Sequence, residues 1–269
     1  MRLLAVALSG GGAKGAAHVG ALLELEKMGI KFDIVVGTSI GALVGAGYAI
    51  LGNSNLLYEY ALRLQKAPFI KKAPTSRKIP SILTCIGANL LPSTLPSFLY
   101  FYILKKVFKD ITFEDLKIKF YCTAVKMESE ALVIFNEGPL FPALKASMAM
   151  PGAFRPVKIN GSKYIDGGTL EKLPILTAKK VGADKIIALK LLSKKIKYEE
   201  IKNASQAFDR MDSIRENIYD NLTKKFANVL IELPTEDFNT LDFTQTQALI
   251  DTGRKAVLEK KEEILEKIL

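Results

Sequence analysis

The first fifty residues confine this chain to a narrow set of folds. A continuous apolar run, LLAVAL at residues 3–8, stops abruptly at SGGGAKG. Such a run, bounded by glycines, reads as a strand buried on both faces of a parallel sheet. Residues 16–28 follow with Ala17, Leu22, Leu25 and Met28 near one helical face, and Gly29 is placed to end the helix. FDIVVGTS is a second buried strand, and IGALVGAGYAI, residues 40–50, is a helix whose small residues allow close packing on a sheet. This alternation predicts a βαβ unit and, from it, a three-layer α/β/α sandwich with a mostly parallel central sheet. The chain has 269 residues, 49% of them apolar, enough for one large core, and residues 1–269 are read as a single domain.

The rest of the chain is less regular. Residues 52–109 carry prolines at 68, 74, 80, 92 and 96 and the basic stretch KKAPTSRK at 71–78, which marks an insertion. Within it residues 81–104 are uncharged and flanked by basic residues. Their length suits a bilayer span, but two prolines, Asn89 and several hydroxyls argue for a lid or membrane-contacting cap instead. Strands are expected within ITFEDLKIKFYCTAVKM, ALVIFNEG, KYIDGG and ADKIIALKLL, a short helix in PALKASMAMPGAF, and amphipathic helices over 198–230 and 244–268. The charges of those last helices are read as solvated faces.

Charge and cysteine content exclude several classes. A formal net charge of +10 favours anionic partners. No zinc-finger spacing, RNP-type motif or basic arm points to nucleic acid, so an acidic lipid surface is the better match. Cys85 and Cys122 form no disulfide framework, one histidine makes a Cys/His metal site hard to build, and both cysteines are expected to be buried apolar residues. The N-terminus lacks a cleavage signal, and the expected location is the cytoplasm, with peripheral membrane association.

Three motifs carry chemistry. Gly10, Gly12 and Gly15 satisfy the dinucleotide fingerprint G-x-G-x-x-G in its strand-to-helix setting. That fingerprint also wants an acid closing the second strand, where Gly37, Thr38 and Ser39 stand instead; Asp33 opens it. A Walker A loop fails because Gly15 follows Lys14. The second motif, GTSIG at 37–41, is a G-x-S-x-G nucleophile elbow: a sharp turn exposes Ser39, and Gly37 and Gly41 let neighbouring backbone pass close by. The helix starting at Ile40 directs its positive end at Ser39. The third is IDGG, which places Asp166 at a strand end followed by Gly167 and Gly168. An acyl-transferring serine needs a base, and His18, the sole histidine, and Asp166 are the two candidates.

Taken together, SGGGAKGAAHVGAL, GTSIGALVGAGYA, ALKASMAMPGAF and YIDGGTLEKLPI resemble the corresponding segments of the bacterial patatin-like phospholipases. The resemblance implies a metal- and cofactor-independent lipid acyl hydrolase, with Ser39 as nucleophile, Asp166 as base and no catalytic histidine. It implies an oxyanion hole from the backbone N–H groups of Gly11, Gly12 and Ala13, supported by Gly10, Gly15, Gly37, Gly41, Gly167 and Gly168. The expected partner is a phospholipid or other acyl-ester lipid. Many relatives carry Asn where this chain has Glu171 and Lys172. Lys14 is expected to face solvent or a lipid phosphate, and His18 to pack or hydrogen-bond. The readings that compete with this one are a nucleotide-binding protein of Rossmann type and a catalytically silent lipid-surface binder.

Overall fold

A computed structural model describes residues 2–65, 97–194, 201–240 and 242–269. Cys85, the stretch at 71–78 and residues 81–96 of the uncharged segment lie outside the described residues. The expected alternation is present: β1 (Leu4–Leu8), α1 (Ala16–Lys27), β2 (Ile34–Thr38) and α2 (Ile40–Leu51). The insertion begins with α3 (Ser54–Gln65) and ends with α4 (Ser97–Phe108). Leu57 of α3 and Phe101, Leu104 and Phe108 of α4 are buried in the main core, so both described ends of the insertion belong to the body of the fold. Among the described residues no helix is long and apolar enough to cross a membrane.

Next come β3 (Lys119–Lys126), β4 (Ala131–Phe135), α5 (Leu140–Ser147), β5 (Val157–Ile159), β6 (Ser162–Asp166), α6 (Ile175–Lys180) and β7 (Lys185–Leu191). The chain closes with α7 (Ala204–Thr223), β8 (Val229–Leu233), α8 (Thr246–Glu259) and α9 (Lys261–Ile268). The strand order is β5-β6-β3-β2-β1-β7-β8, with β4 also paired to β3. β3, β2, β1, β7 and β8 run parallel, whereas β4, β5 and β6 pair antiparallel.

The buried strands show why their sequences are apolar throughout. Ala5, Ala7, Ile34, Val36, Ile186 and Ala188 point to one face, against Leu173, Ile175 and Ala178. Val6, Leu8, Val35, Ile187 and Leu189 point to the other, against α1, α2, α8 and α9. Period-two alternation places both sets in a core, which makes the three layers. Glycines bring α1 and α8 together at close range: a side-chain carbon at Gly253 would collide with Ala17 backbone, and one at Gly20 with Ile250 backbone.

The expected secondary structure of the C-terminal part is corrected at one place. The helical reading of residues 198–230 runs across the start of β8, VLIEL, whose alternate burial seats it as the parallel edge neighbour of β7. The helical reading of 244–268 corresponds to α8 and α9, divided at Lys260. The charges of α7 are not all solvated either, since Asp220 pairs with Lys190 at 2.7 Å and Glu216 with Lys172 at 2.6 Å, both beneath the helix.

Candidate active site

The C-terminal ends of β1 and β2 and that of β6, which is joined to β2 through β3, lie at one end of the sheet, the usual place for chemistry in an open α/β fold. Ser39 joins β2 to α2 with φ 57° and ψ −123°. For a residue with a side chain this is a strained conformation, costing on the order of 1–3 kcal/mol. The surroundings enforce it. The Ser39 N–H donates to Ser147 Oγ at 2.9 Å, and the Ser39 carbonyl accepts from Ala42 and Leu43 as α2 begins. A side chain at Gly37 would strike the backbone of Gly41 and Ala42, and one at Gly41 the carbonyls of Leu8 and Ser9. The elbow therefore closes only because both positions are glycine.

Asp166 ends β6 and is buried. Its Oδ1 accepts the Gly168 N–H at 2.7 Å, closing a 3-10 turn over Gly167–Thr169. Burial pushes its carboxyl up to about 6, against the lowering effects of the Ser39 side-chain hydrogen bond, the Gly168 N–H and the Lys172 charge. Ser39 and Asp166, from two separate motifs, thus come together. Gly167 packs on Thr123 of β3, too tightly for any side chain, which fixes the turn against the sheet.

The glycine loop is the third part. Gly10 passes so close to the elbow that a side-chain carbon there would sit 3.2 Å from Ser39 Cβ. A 3-10 turn over Gly12–Gly15 leads into α1, with Gly12 in the left-handed region at φ 59° and Gly15 packed on Ile40. The amide of Ala13, expected in the oxyanion hole, instead donates to Thr240 O at 2.7 Å. Thr240 precedes α8 and is remote in sequence, so nothing local to the loop foretells this bond. Among the described residues the amides of Gly11 and Gly12 have no such acceptor.

Lys14 is also corrected. Its side chain is buried and Nζ donates to Leu192 O at 3.0 Å, so it braces the loop against the end of β7 and faces neither solvent nor a headgroup. Burial lowers its proton affinity, as does the nearby Lys172. His18 is fully buried, with Nε2 2.9 Å from Ser9 O, and desolvation pulls it down to about 4. A neutral ring whose Nε2–H donates to a backbone carbonyl holds the loop in place. Cys122 is buried, and burial raises its thiol, as an apolar role requires.

Several residues that sequence reasoning missed hold the three motifs together. Gly10 N–H donates to Lys172 O at 3.0 Å, and Thr38 Oγ1 lies 3.0 Å from Glu171 O and 2.7 Å from Thr123 Oγ1. The segment after Asp166 is therefore bonded to both the glycine loop and the elbow. Glu171 turns its buried carboxylate to the Leu176 and Thr177 amides at 2.9 and 3.1 Å and so caps α6. Of these residues the sequence reading singles out only Glu171 and Lys172, without their contacts.

The chain is similar to several known proteins. The chain is 34% identical over 182 residues to the lysophospholipase NTE1 of Meyerozyma guilliermondii and 33% over 184 residues to that of Candida albicans. In each case 68% of this chain is covered but only 12% of the relative, so the chain spans about an eighth of the length of those proteins. VipD from Legionella pneumophila has a similar fold, with a TM-score of 0.53 at 15% identity over 94% of this chain and 67% of VipD. Residues 6–179 match the family model described as patatin-like phospholipase, and the chain belongs to that family.

Proposed function

We propose that the protein hydrolyses fatty-acyl esters of lysophospholipids or phospholipids through an acyl-enzyme on Ser39, with Asp166 as the only base and no metal. The observation that carries this reading is the strained elbow of Ser39 beside a buried carboxyl held near 6. An ordinary aspartate is a poor base for a serine hydroxyl; at about 6, Asp166 is still mostly ionised at neutral pH but accepts a proton more readily.

In the first half-reaction Ser39 Oγ attacks the ester carbonyl carbon as its proton passes to Asp166. The carbonyl oxygen becomes an oxyanion facing the Gly11 and Gly12 amides, each good donor contributing about 3 kcal/mol. Collapse of this intermediate breaks the bond to the glyceryl oxygen, which leaves with the proton from Asp166. Water then attacks the acyl-enzyme, with Asp166 taking its proton, and the fatty acid departs as Ser39 Oγ is reprotonated. The helix α2, starting at Ser39, favours the anionic stages through its positive end.

The names of the relatives support a lysophospholipid as substrate. The test is release of fatty acid from lysophosphatidylcholine in the presence of a chelator. Wild type should hydrolyse it, and Ser39→Ala should lower the rate by at least about a thousandfold. Undiminished hydrolysis by a folded Ser39→Ala protein would remove the proposal.

A further inference from the structure

Helix α7 has opposite faces of opposite character, and it is the apolar one that looks outward. Toward the body of the protein, Asp220 pairs with Lys190, Glu216 with Lys172, and the Arg215 guanidinium donates to the carbonyls of Gly168 and Thr169. Outward, Phe208, Met211, Ile214, Ile218 and Leu222 follow one another at spacings of three and four residues. All are exposed, Ile218 by 59% and Leu222 by 64%, and Phe226 continues the row beyond the helix. Met211, Ile214, Ile218 and Leu222 line a shallow groove of about 390 Å³ bordered by Arg215 and Tyr219. A row of this length exceeds the scattered apolar residues of an ordinary surface.

The charges around the row select its partner. Glu216 and Asp220 are drawn beneath the helix by lysines, and Asp212 is paired with Arg215. Lys224 and Lys225 stand beside Leu222 and Phe226, both exposed, with Lys225 Nζ 5.3 Å from the centre of the Phe226 ring. An apolar stripe flanked by cations, on a chain of net charge +10, complements an anionic lipid surface. A second copy of the same chain would bring like charges together.

We propose that the outer face of α7 docks on an anionic phospholipid bilayer, lying in the headgroup region with Phe208, Met211, Ile214, Ile218 and Leu222 immersed. The inner face of the same helix holds the turn that follows Asp166, so docking sets the site about one helix diameter, roughly 10 Å, from the lipid. The use of this placement rests on the proposed hydrolysis; the docking itself does not.

The test is flotation of a Ser39→Ala background with vesicles of phosphatidylcholine alone or mixed with phosphatidylglycerol, so that no substrate is consumed. The protein should float with the mixed vesicles and much less with the neutral ones. Combining Met211→Gln, Ile218→Gln and Leu222→Gln should cut binding about tenfold or more, with unchanged circular dichroism. Lys224→Glu with Lys225→Glu, which leaves the apolar row intact, should weaken binding to mixed vesicles only. In the Ser39 background both variants should hydrolyse a soluble short-chain p-nitrophenyl ester at the wild-type rate. Absence of flotation, equal binding to neutral vesicles, or full binding by the glutamine variant would overturn the proposal. So would a dimer that the glutamine variant turns into monomers while vesicle binding persists, since the row would then be a contact between copies. If no ester is hydrolysed by any form, the catalytic reading fails while flotation still decides the docking.

Discussion

Lys172 Nζ lies 2.6 Å from Glu216 Oε2, which ties the segment after Asp166 to α7 while keeping a positive charge near the Asp166 carboxyl. That charge opposes the burial that raises Asp166 to about 6. The kcat/KM for a soluble ester should therefore fall with a single acidic limb centred near pH 6, about tenfold per unit below it. Lys172→Met should move the limb to higher pH, because the remaining influences on the carboxyl are dominated by burial. A limb unmoved by that substitution, measured by a kcat/KM pH profile, would contradict the electrostatic assignment.

A carboxyl that is harder to ionise when folded costs stability once it must be charged. The folded value of Asp166 lies above the ordinary 3.8, so its favourable contribution is complete below about pH 4 and is lost as pH rises through about 6. Asp166→Asn should thus raise the stability of the fold by about 1–3 kcal/mol at pH 7.5 and by little at pH 4, while lowering hydrolysis by about a hundredfold or more. Denaturant unfolding at the two pH values measures the first part.

His18 has the opposite sign. Its folded value, about 4, lies below the ordinary 6.5, so its contribution is present above pH 6.5 and is lost as pH falls through about 4. His18→Asn should reduce stability by about 1–3 kcal/mol at pH 7 by weakening the support of Ser9 O, yet retain most of the hydrolysis. Unfolding curves and initial rates on the same preparation separate the two effects.

How far the site was legible in the sequence follows from the range of the interactions. Ser39, Asp166 and the glycines announce themselves because a strained turn and close backbone approach leave few residue choices, and β1, β2 and their helices are legible because burial on both faces makes their runs apolar. The parts that were not legible depend on residues distant in the chain: Thr240 taking the Ala13 amide, Leu192 taking Lys14 Nζ, Ser147 meeting the Ser39 amide. The strand β8 was hidden for a related reason, since VLIEL has too few residues to distinguish a strand from the end of the helix before it.

The crossing of α1 and α8 supplies a prediction independent of the site. Gly253→Ala would press a methyl group into the Ala17 backbone, which cannot move as a side-chain tip can. The substitution should cost about 1–3 kcal/mol or more, read as a lower midpoint in urea, even though alanine is the better helix former. A neutral or stabilising result would mean that the two helices sit farther apart.

The central claim is that Ser39 is activated by Asp166 and not by a histidine, and covalent labelling tests it most directly. Wild-type protein treated with a fluorophosphonate should carry one phosphonyl adduct, mapped by mass spectrometry to the peptide containing Ser39, with labelling slowed in Asp166→Asn and little changed in His18→Asn. An adduct elsewhere, no adduct on the folded protein, or labelling lost in His18→Asn as fully as in Asp166→Asn would contradict the account.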